Sequence, residues 1–159
     1  MEYQISINSP LGFLLVKSNG QAITEVSFSE KDIPEQNECE VLAACRQQLE
    51  DYLSGKRMTF DLPLSPEGTP FQQKVWLELQ KIPYGETITY MDLAVRLGDP
   101  KCIRAAGTAN GRNPIAIIIP CHRVIGAGNK LTGYAGGLWR KKLLLELEMK
   151  NNPSKQTLF

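Results

Sequence analysis

In the stretch Ile119-Pro120-Cys121-His122-Arg123-Val124-Ile125 a thiol stands next to an imidazole. The chain has four cysteines, Cys39, Cys45, Cys102 and Cys121, but only one histidine, so any mechanism that needs an imidazole must use His122. Sulfur attacks as the thiolate, and apolar surroundings disfavour that charge, so Cys121 needs a base or a cation close by. Neighbouring side chains on an extended strand point to opposite faces. His122 can therefore serve Cys121 only if the backbone bends, as Pro120 allows, or if a water bridges them. The imidazole in turn needs a carboxylate to fix its tautomer and support its charged form. Glu146 and Glu148, near the end of the chain, are the candidates. Structural zinc requires four Cys/His ligands at paired spacings, and the chain contains no C-x2-C pair, so no metal is expected.

The elements that must carry this pair can be read from the pattern around it. Alternating apolar residues at 3–7, 13–16 and 23–28, separated by Ser9-Pro10-Leu11-Gly12 and Asn19-Gly20, predict a three-stranded antiparallel meander. Residues 38–53 carry apolar side chains at 41, 42, 45, 49 and 53, a helical stripe that ends at Gly55, and 58–62 reads as a further short strand. After a proline-rich linker, Thr69-Pro70-Phe71-Gln72 has the form of a capping box with proline at the first helical position, opening a helix to about Ile82. Thr89-Tyr90-Met91-Asp92 caps a second helix through Leu97, and a third runs from Lys101 to about Asn110 after Gly98-Asp99-Pro100. Two short helices joined by a tight Gly-containing turn fit a helix-turn-helix, and equally a plain helical hairpin. The second of them presents Arg104 among Ala105, Ala106, Gly107 and Ala109, too few long polar side chains to read a major groove. Small residues with one long cation suit close approach to a minor groove, and equally a helix packed against another with Arg104 as a solvated charge. Residues 115–119 read as a buried strand or extended segment ended by Pro120.

The chain has 159 residues, 42% of them apolar, enough for a real core in one medium domain or two small ones. Its net charge of +1 conceals a division: residues 1–68 hold 5 Lys/Arg against 11 Asp/Glu, net −6, and residues 69–159 hold 13 against 6, net +7. A basic half is the electrostatic footprint of a phosphate-binding surface. The apolar run at 115–119 is far short of the roughly 20 residues of a membrane span. No basic segment precedes an apolar stretch at the N-terminus, so export is not signalled, and the cysteines are expected as free thiols in a reducing cytoplasm.

Pro120-Cys121-His122-Arg123-Val124 resembles the active-site signature of the O6-alkylguanine-DNA alkyltransferases, the methylated-DNA–protein-cysteine methyltransferase family. The resemblance extends through Gly68-Thr-Pro-Phe-Gln-Gln-Lys-Val-Trp76, Ile82-Pro-Tyr-Gly-Glu86 with Tyr90, Arg104-Ala-Ala-Gly107, Asn113-Pro114 and Tyr134-Ala-Gly-Gly137, and so covers residues 68–148. It implies an α+β protein with an N-terminal ribonuclease-H-like domain, residues 1–67, and a C-terminal, mostly helical, winged helix-turn-helix domain, residues 68–159. It implies a single-turnover methyltransferase, a monomer without cofactor, acting on double-stranded DNA containing alkylated guanine. Cys121 would take the alkyl group from O6 of guanine, and the activity would extend to O4-alkylthymine. His122 would act as base through a water, with Glu148 rather than Glu146 as its carboxylate. Arg104 would fill the stack left by a flipped-out base, and Tyr90 would crowd its phosphate. Ala105 and Gly107 would meet the DNA, and Asn113 would be a hinge. Tyr134, Ala135 and Gly136 would line the pocket. Cys102 and Ile103 stand where alanines are common in the family, and Ala135 where some members have serine.

Two other readings compete. A non-catalytic module that binds alkylated bases and recruits other factors needs no cysteine, and Cys121 is present. A cysteine hydrolase would need turnover and leaves the helix pair and the charge division unexplained.

Overall fold

The alternating residues of the first half do form a meander. In the computed structural model, which describes residues 2–152, Tyr3–Ser9 (β1), Gly12–Ser18 (β2) and Ile23–Ser29 (β3) pair antiparallel in that order. The register sets Ile5 opposite Val16, Ile7 opposite Leu14 and Val16 opposite Val26, so these apolar side chains share a buried face. The helix Glu40–Leu53 (α1) buries Leu42, Cys45, Leu49 and Tyr52. Gly12, at φ 91, makes the tight reversal between β1 and β2 that a side chain would strain.

Residues 58–62 do not form the expected strand. Pairing with β3 comes later and is a single parallel bridge, Leu64 to Ile23, with Ile23 N–H donating to Pro63 O (2.9 Å) and Ser65 N–H to Ile23 O (2.8 Å). Pro63 has no N–H to carry the ladder back toward residue 21. The isoleucine run is buried as expected, with Ile115, Ile117 and Ile119 at most 1% exposed, but it too forms one bridge rather than a strand, Ile115 to Val26. Ile118 N–H turns back to Ala116 O (2.8 Å) and closes a γ-turn about Ile117, at φ 71. Among the described residues, 114–118 group with 2–67 as one compact unit, and 68–113 with 119–152 as another.

The second unit is helical: Pro70–Leu79 (α2), Tyr90–Arg96 (α3), Ile103–Gly111 (α4) and Leu138–Lys150 (α5). Both capping boxes read from the sequence are present. Thr69 and Gln72 exchange side-chain and backbone bonds at the start of α2, and Thr89 and Asp92 do so at the start of α3. A 3-10 turn, Pro100–Cys102, capped by Asp99, leads into α4, so the α-helix proper begins at Ile103 rather than Lys101. The buried indole of Trp76 donates to Ala109 O (2.9 Å) and ties α2 to α4. Two short parallel strands, Ile88–Thr89 (β4) and Val124–Ile125 (β5), bring the start of α3 beside the residues that follow His122.

Candidate active site

Pro120 supplies the bend that Cys121 and His122 require. At φ −82 and ψ 64 it is the centre of an inverse γ-turn, closed by Cys121 N–H donating to Ile119 O (2.8 Å). The chain then enters a 3-10 turn, Cys121–Arg123, with all three residues buried. On so tight a turn successive side chains diverge, and His122 and Arg123 both reach Glu148 on α5. His122 Nε2 lies 2.7 Å from Glu148 Oε2. Arg123 grips both carboxylate oxygens, Nε to Oε1 at 2.8 Å and Nη2 to Oε2 at 2.9 Å, and its Nη1 donates to Ile82 O. Gly85 N–H donates to Oε1 as well (3.1 Å).

Glu148 is 1% exposed, and burial works to raise its carboxyl. His122 and Arg123 outweigh that and hold it well below the usual carboxylate range. Burial, assisted by the charges of Arg123 and Lys141 and opposed by Glu148, lowers the pKa of His122, so at neutral pH the ring is uncharged. An uncharged imidazole beside a carboxylate carries its proton on the nitrogen that faces it. The hydrogen is on Nε2, and Nδ1 is left as a lone pair, buried and without a partner among the described residues. Glu146, by contrast, is exposed and sits 3.8 Å from Lys142.

Burial pushes the Cys121 thiol up, and the Asn113 side chain and the Lys141 ammonium work against it. Asn113 Nδ2 also donates to Ile119 O (2.7 Å) and Asn110 Nδ2 to Cys121 O (3.4 Å), so two side chains at the end of α4 hold carbonyls of the reactive segment. Lys141 is fully buried. Its Nζ donates to Val124 O (2.6 Å) and Thr132 O (2.7 Å), lies 5.8 Å from the centre of the Tyr90 ring, and has a pKa lowered to about 8 by burial. The Tyr90 hydroxyl donates to the same Thr132 carbonyl (2.9 Å), and the pKa of Tyr90 is raised, first by burial and in part by the nearby Cys121. Tyr134, half-buried, also feels the Cys121 charge, while Ala135 is exposed and Gly136 half-buried beside it. Gly107 lies under Tyr90, where a Cβ would come within 3.6 Å of the ring. Arg104 and Ala105 are exposed on α4, and Arg104 has no ion pair among the described residues.

Arg123, Lys141 and Asn110 escaped the sequence reading. For Lys141 a signal existed. Lys141, Leu144, Leu145 and Glu148 are spaced i, i+3, i+4, i+7, so the buried face of α5 carries two charges that an ordinary amphipathic helix would place outside. No cluster of three or more Cys, His, Asp or Glu able to hold a metal occurs among the described residues, and all four cysteines are free.

Cys121 is thus buried on the same turn as His122 and Arg123, which share the Glu148 carboxylate, in a unit built round a capped helix pair. Two family models match the chain: the ribonuclease-like domain of 6-O-methylguanine DNA methyltransferase over residues 3–66 and its DNA-binding domain over residues 70–150. The chain belongs to the methylated-DNA–protein-cysteine methyltransferase family. It is 46% identical over 158 residues to the constitutive methylated-DNA–protein-cysteine methyltransferase of Bacillus subtilis (93% of this chain, 96% of the relative). It is 51% identical over 158 residues to the methylated-DNA–protein-cysteine methyltransferase of Methanosarcina barkeri (95% and 99%). Among solved structures it resembles a Mycobacterium tuberculosis OGT in complex with DNA, with TM-score 0.86 and 44% identity over 96% of each chain.

Proposed function

We propose that this protein repairs DNA by direct reversal, taking the alkyl group from O6 of an alkylated guanine in double-stranded DNA onto Sγ of Cys121. The observation that supports this reading is the 2.7 Å contact of His122 Nε2 with the buried Glu148 carboxylate, which favours the proton on Nε2 and leaves Nδ1 free to act as the base. The thiol proton passes through a water to Nδ1, the thiolate attacks the alkyl carbon, and the C–O6 bond breaks. Guanine leaves with its electron pair and takes up the proton, so the base is restored. The ionised Glu148 supports the imidazolium while it lasts, and the Lys141 ammonium favours the thiolate before attack.

A carbon–sulfur thioether offers water no acyl group to attack, so Cys121 is not regenerated and each chain acts once. O6 of a stacked guanine is out of reach, so the base must leave the helix, at a cost of a few kcal/mol. α4 serves this from the minor groove: Ala105 and Gly107 allow close approach, and the exposed Arg104 fills the vacated stack. Tyr90 crowds the phosphate of the turned nucleotide, Asn113 hinges α4 to the reactive segment, and Tyr134, Ala135 and Gly136 line the pocket that receives the base. Phosphate contacts from the basic half hold the duplex without reading sequence. The same pocket takes O4-alkylthymine, and the protein works as a cytoplasmic monomer without a cofactor.

The test is a titration of the protein with duplex carrying labelled O6-methylguanine. Transfer should saturate at one methyl group per chain, with restored guanine in equal amount. Continued turnover would overturn the proposal, as would stable binding without transfer, which favours the alkylated-base-binding module.

A further inference from the structure

Arg140 is a cation in the first turn of α5, and it is 7% exposed. A helix N-terminus carries partial positive charge, so a buried guanidinium there gains nothing from the helix and its position calls for another cause. Its contacts supply one. Nη1 donates to Gly136 O (2.9 Å), and the guanidinium lies 4.4 Å from the centre of the Trp139 ring. Trp139 is half-exposed, and its ring packs on Gly137, where a Cβ would come within 3.3 Å of it. Gly137 holds φ 92 and donates its N–H to Tyr134 O (2.9 Å). Arg140 also faces Tyr134, whose pKa its charge lowers against the larger effect of burial. The segment 134–137 is thus pinned from behind by one side chain and flanked by an indole.

We infer that Arg140 is the positioning residue of this segment and, with Trp139 as the adjoining wall, sets the range of alkyl-group sizes the protein accepts. The inference rests on the function proposed above. Holding the Gly136 carbonyl fixes the Gly136–Gly137 peptide plane, whose N–H is bound to Tyr134 O, and so braces the turn that carries Ala135 and Gly136. A methyl lesion gains most from this, because it has little surface of its own to seat it. A bulky group needs width more than a braced turn, and the clamp withholds width.

The experiment compares second-order transfer rates to Cys121 from the same duplex carrying O6-methylguanine or O6-benzylguanine. In Arg140→Met the benzyl-to-methyl rate ratio should rise about tenfold, at the lower end of what one altered pocket contact gives. Arg140→Lys keeps a donor for Gly136 O and should recover part of that shift. Trp139→Ala, at an exposed position, should raise the ratio as well. A purely structural role would slow both lesions by one factor; an unchanged ratio in Arg140→Met and in Trp139→Ala overturns the inference. No transfer from either lesion by the wild-type protein overturns instead the function on which it rests.

Discussion

Replacing Glu148 by Gln tests the relay at its most buried point. The carboxylate accepts from His122, twice from Arg123 and from Gly85 N–H. An amide offers one oxygen, so its NH2 must face two of these four donors in either orientation. Turned toward Oε2, it drives the His122 proton to Nδ1 and removes the base. Turned toward Oε1, it keeps the tautomer but leaves the imidazolium without its anion. A wrong tautomer in such a relay costs about 10^4 in rate. Arg123, 7% exposed, also loses its anion, and breaking a buried pair on one side costs about 3–5 kcal/mol. The folded carboxyl titrates below its ordinary value of 4.5, so the stabilisation is complete above that pH and is lost as pH falls through the folded value. The stability gap between wild type and variant should therefore close in acid. Urea unfolding followed by circular dichroism measures the gap. Single-turnover methyl transfer, corrected for the folded fraction, measures the rate. A folded Glu148→Gln protein that transfers within threefold of wild type would refute the reasoning.

Three further outcomes follow from the geometry. Arg104→Ala should slow transfer from duplex at least tenfold while leaving reaction with free O6-benzylguanine base unchanged, because only the duplex demands base extrusion at a cost of a few kcal/mol; equal loss in both assays would remove the finger role. Because burial holds the His122 pKa below the ordinary 6.5, the transfer rate should stay level from neutral pH to below that value and then fall as the ring protonates, whereas a rate already halved at pH 7 would contradict a neutral resting imidazole. Lys141 has a folded pKa of about 8 against 10.5 unfolded, so between these values the unfolded chain binds more protons and stability rises with pH. Lys141→Met should lose that rise in urea titrations across the window and should slow alkylation of Cys121 by iodoacetamide; an unchanged slope would show that the ammonium is not desolvated.

What the sequence revealed were features set by short-range rules. Thr69 with Gln72 and Thr89 with Asp92 satisfy helix N-termini within four residues, so their pairing shows in the residue order. The three strands alternate clearly because the meander buries one face. The isoleucine run misled because burial and extension look alike in a short apolar stretch. Nothing local announces that a β-branched residue, Ile117, takes φ 71. Residues 58–62 misled for a related reason, since which part of the segment meets β3 depends on partners far along the chain. Periodicity left Glu146 and Glu148 open, as two residues on one helix differ only in what packs against them. The family resemblance favoured Glu148, and the structure buries Glu148 against His122 and Arg123. The roles of Arg123 and Asn110 lay beyond local reading, because each acts on a backbone or side chain brought near by tertiary packing.

The central claim is that Cys121, and no other thiol, receives the alkyl group. Burial pushes Cys45 up to about 12, and Cys39 and Cys102 are half-buried thiols with no imidazole beside them. A peptide mass map after reaction with duplex O6-methylguanine tests the claim most directly. It should show a gain of one CH2 on the Cys121 peptide, rising in step with loss of activity, and none on the peptides of Cys39, Cys45 and Cys102. An unmodified Cys121 peptide after the DNA has been repaired, or the same gain on another cysteine, would contradict it.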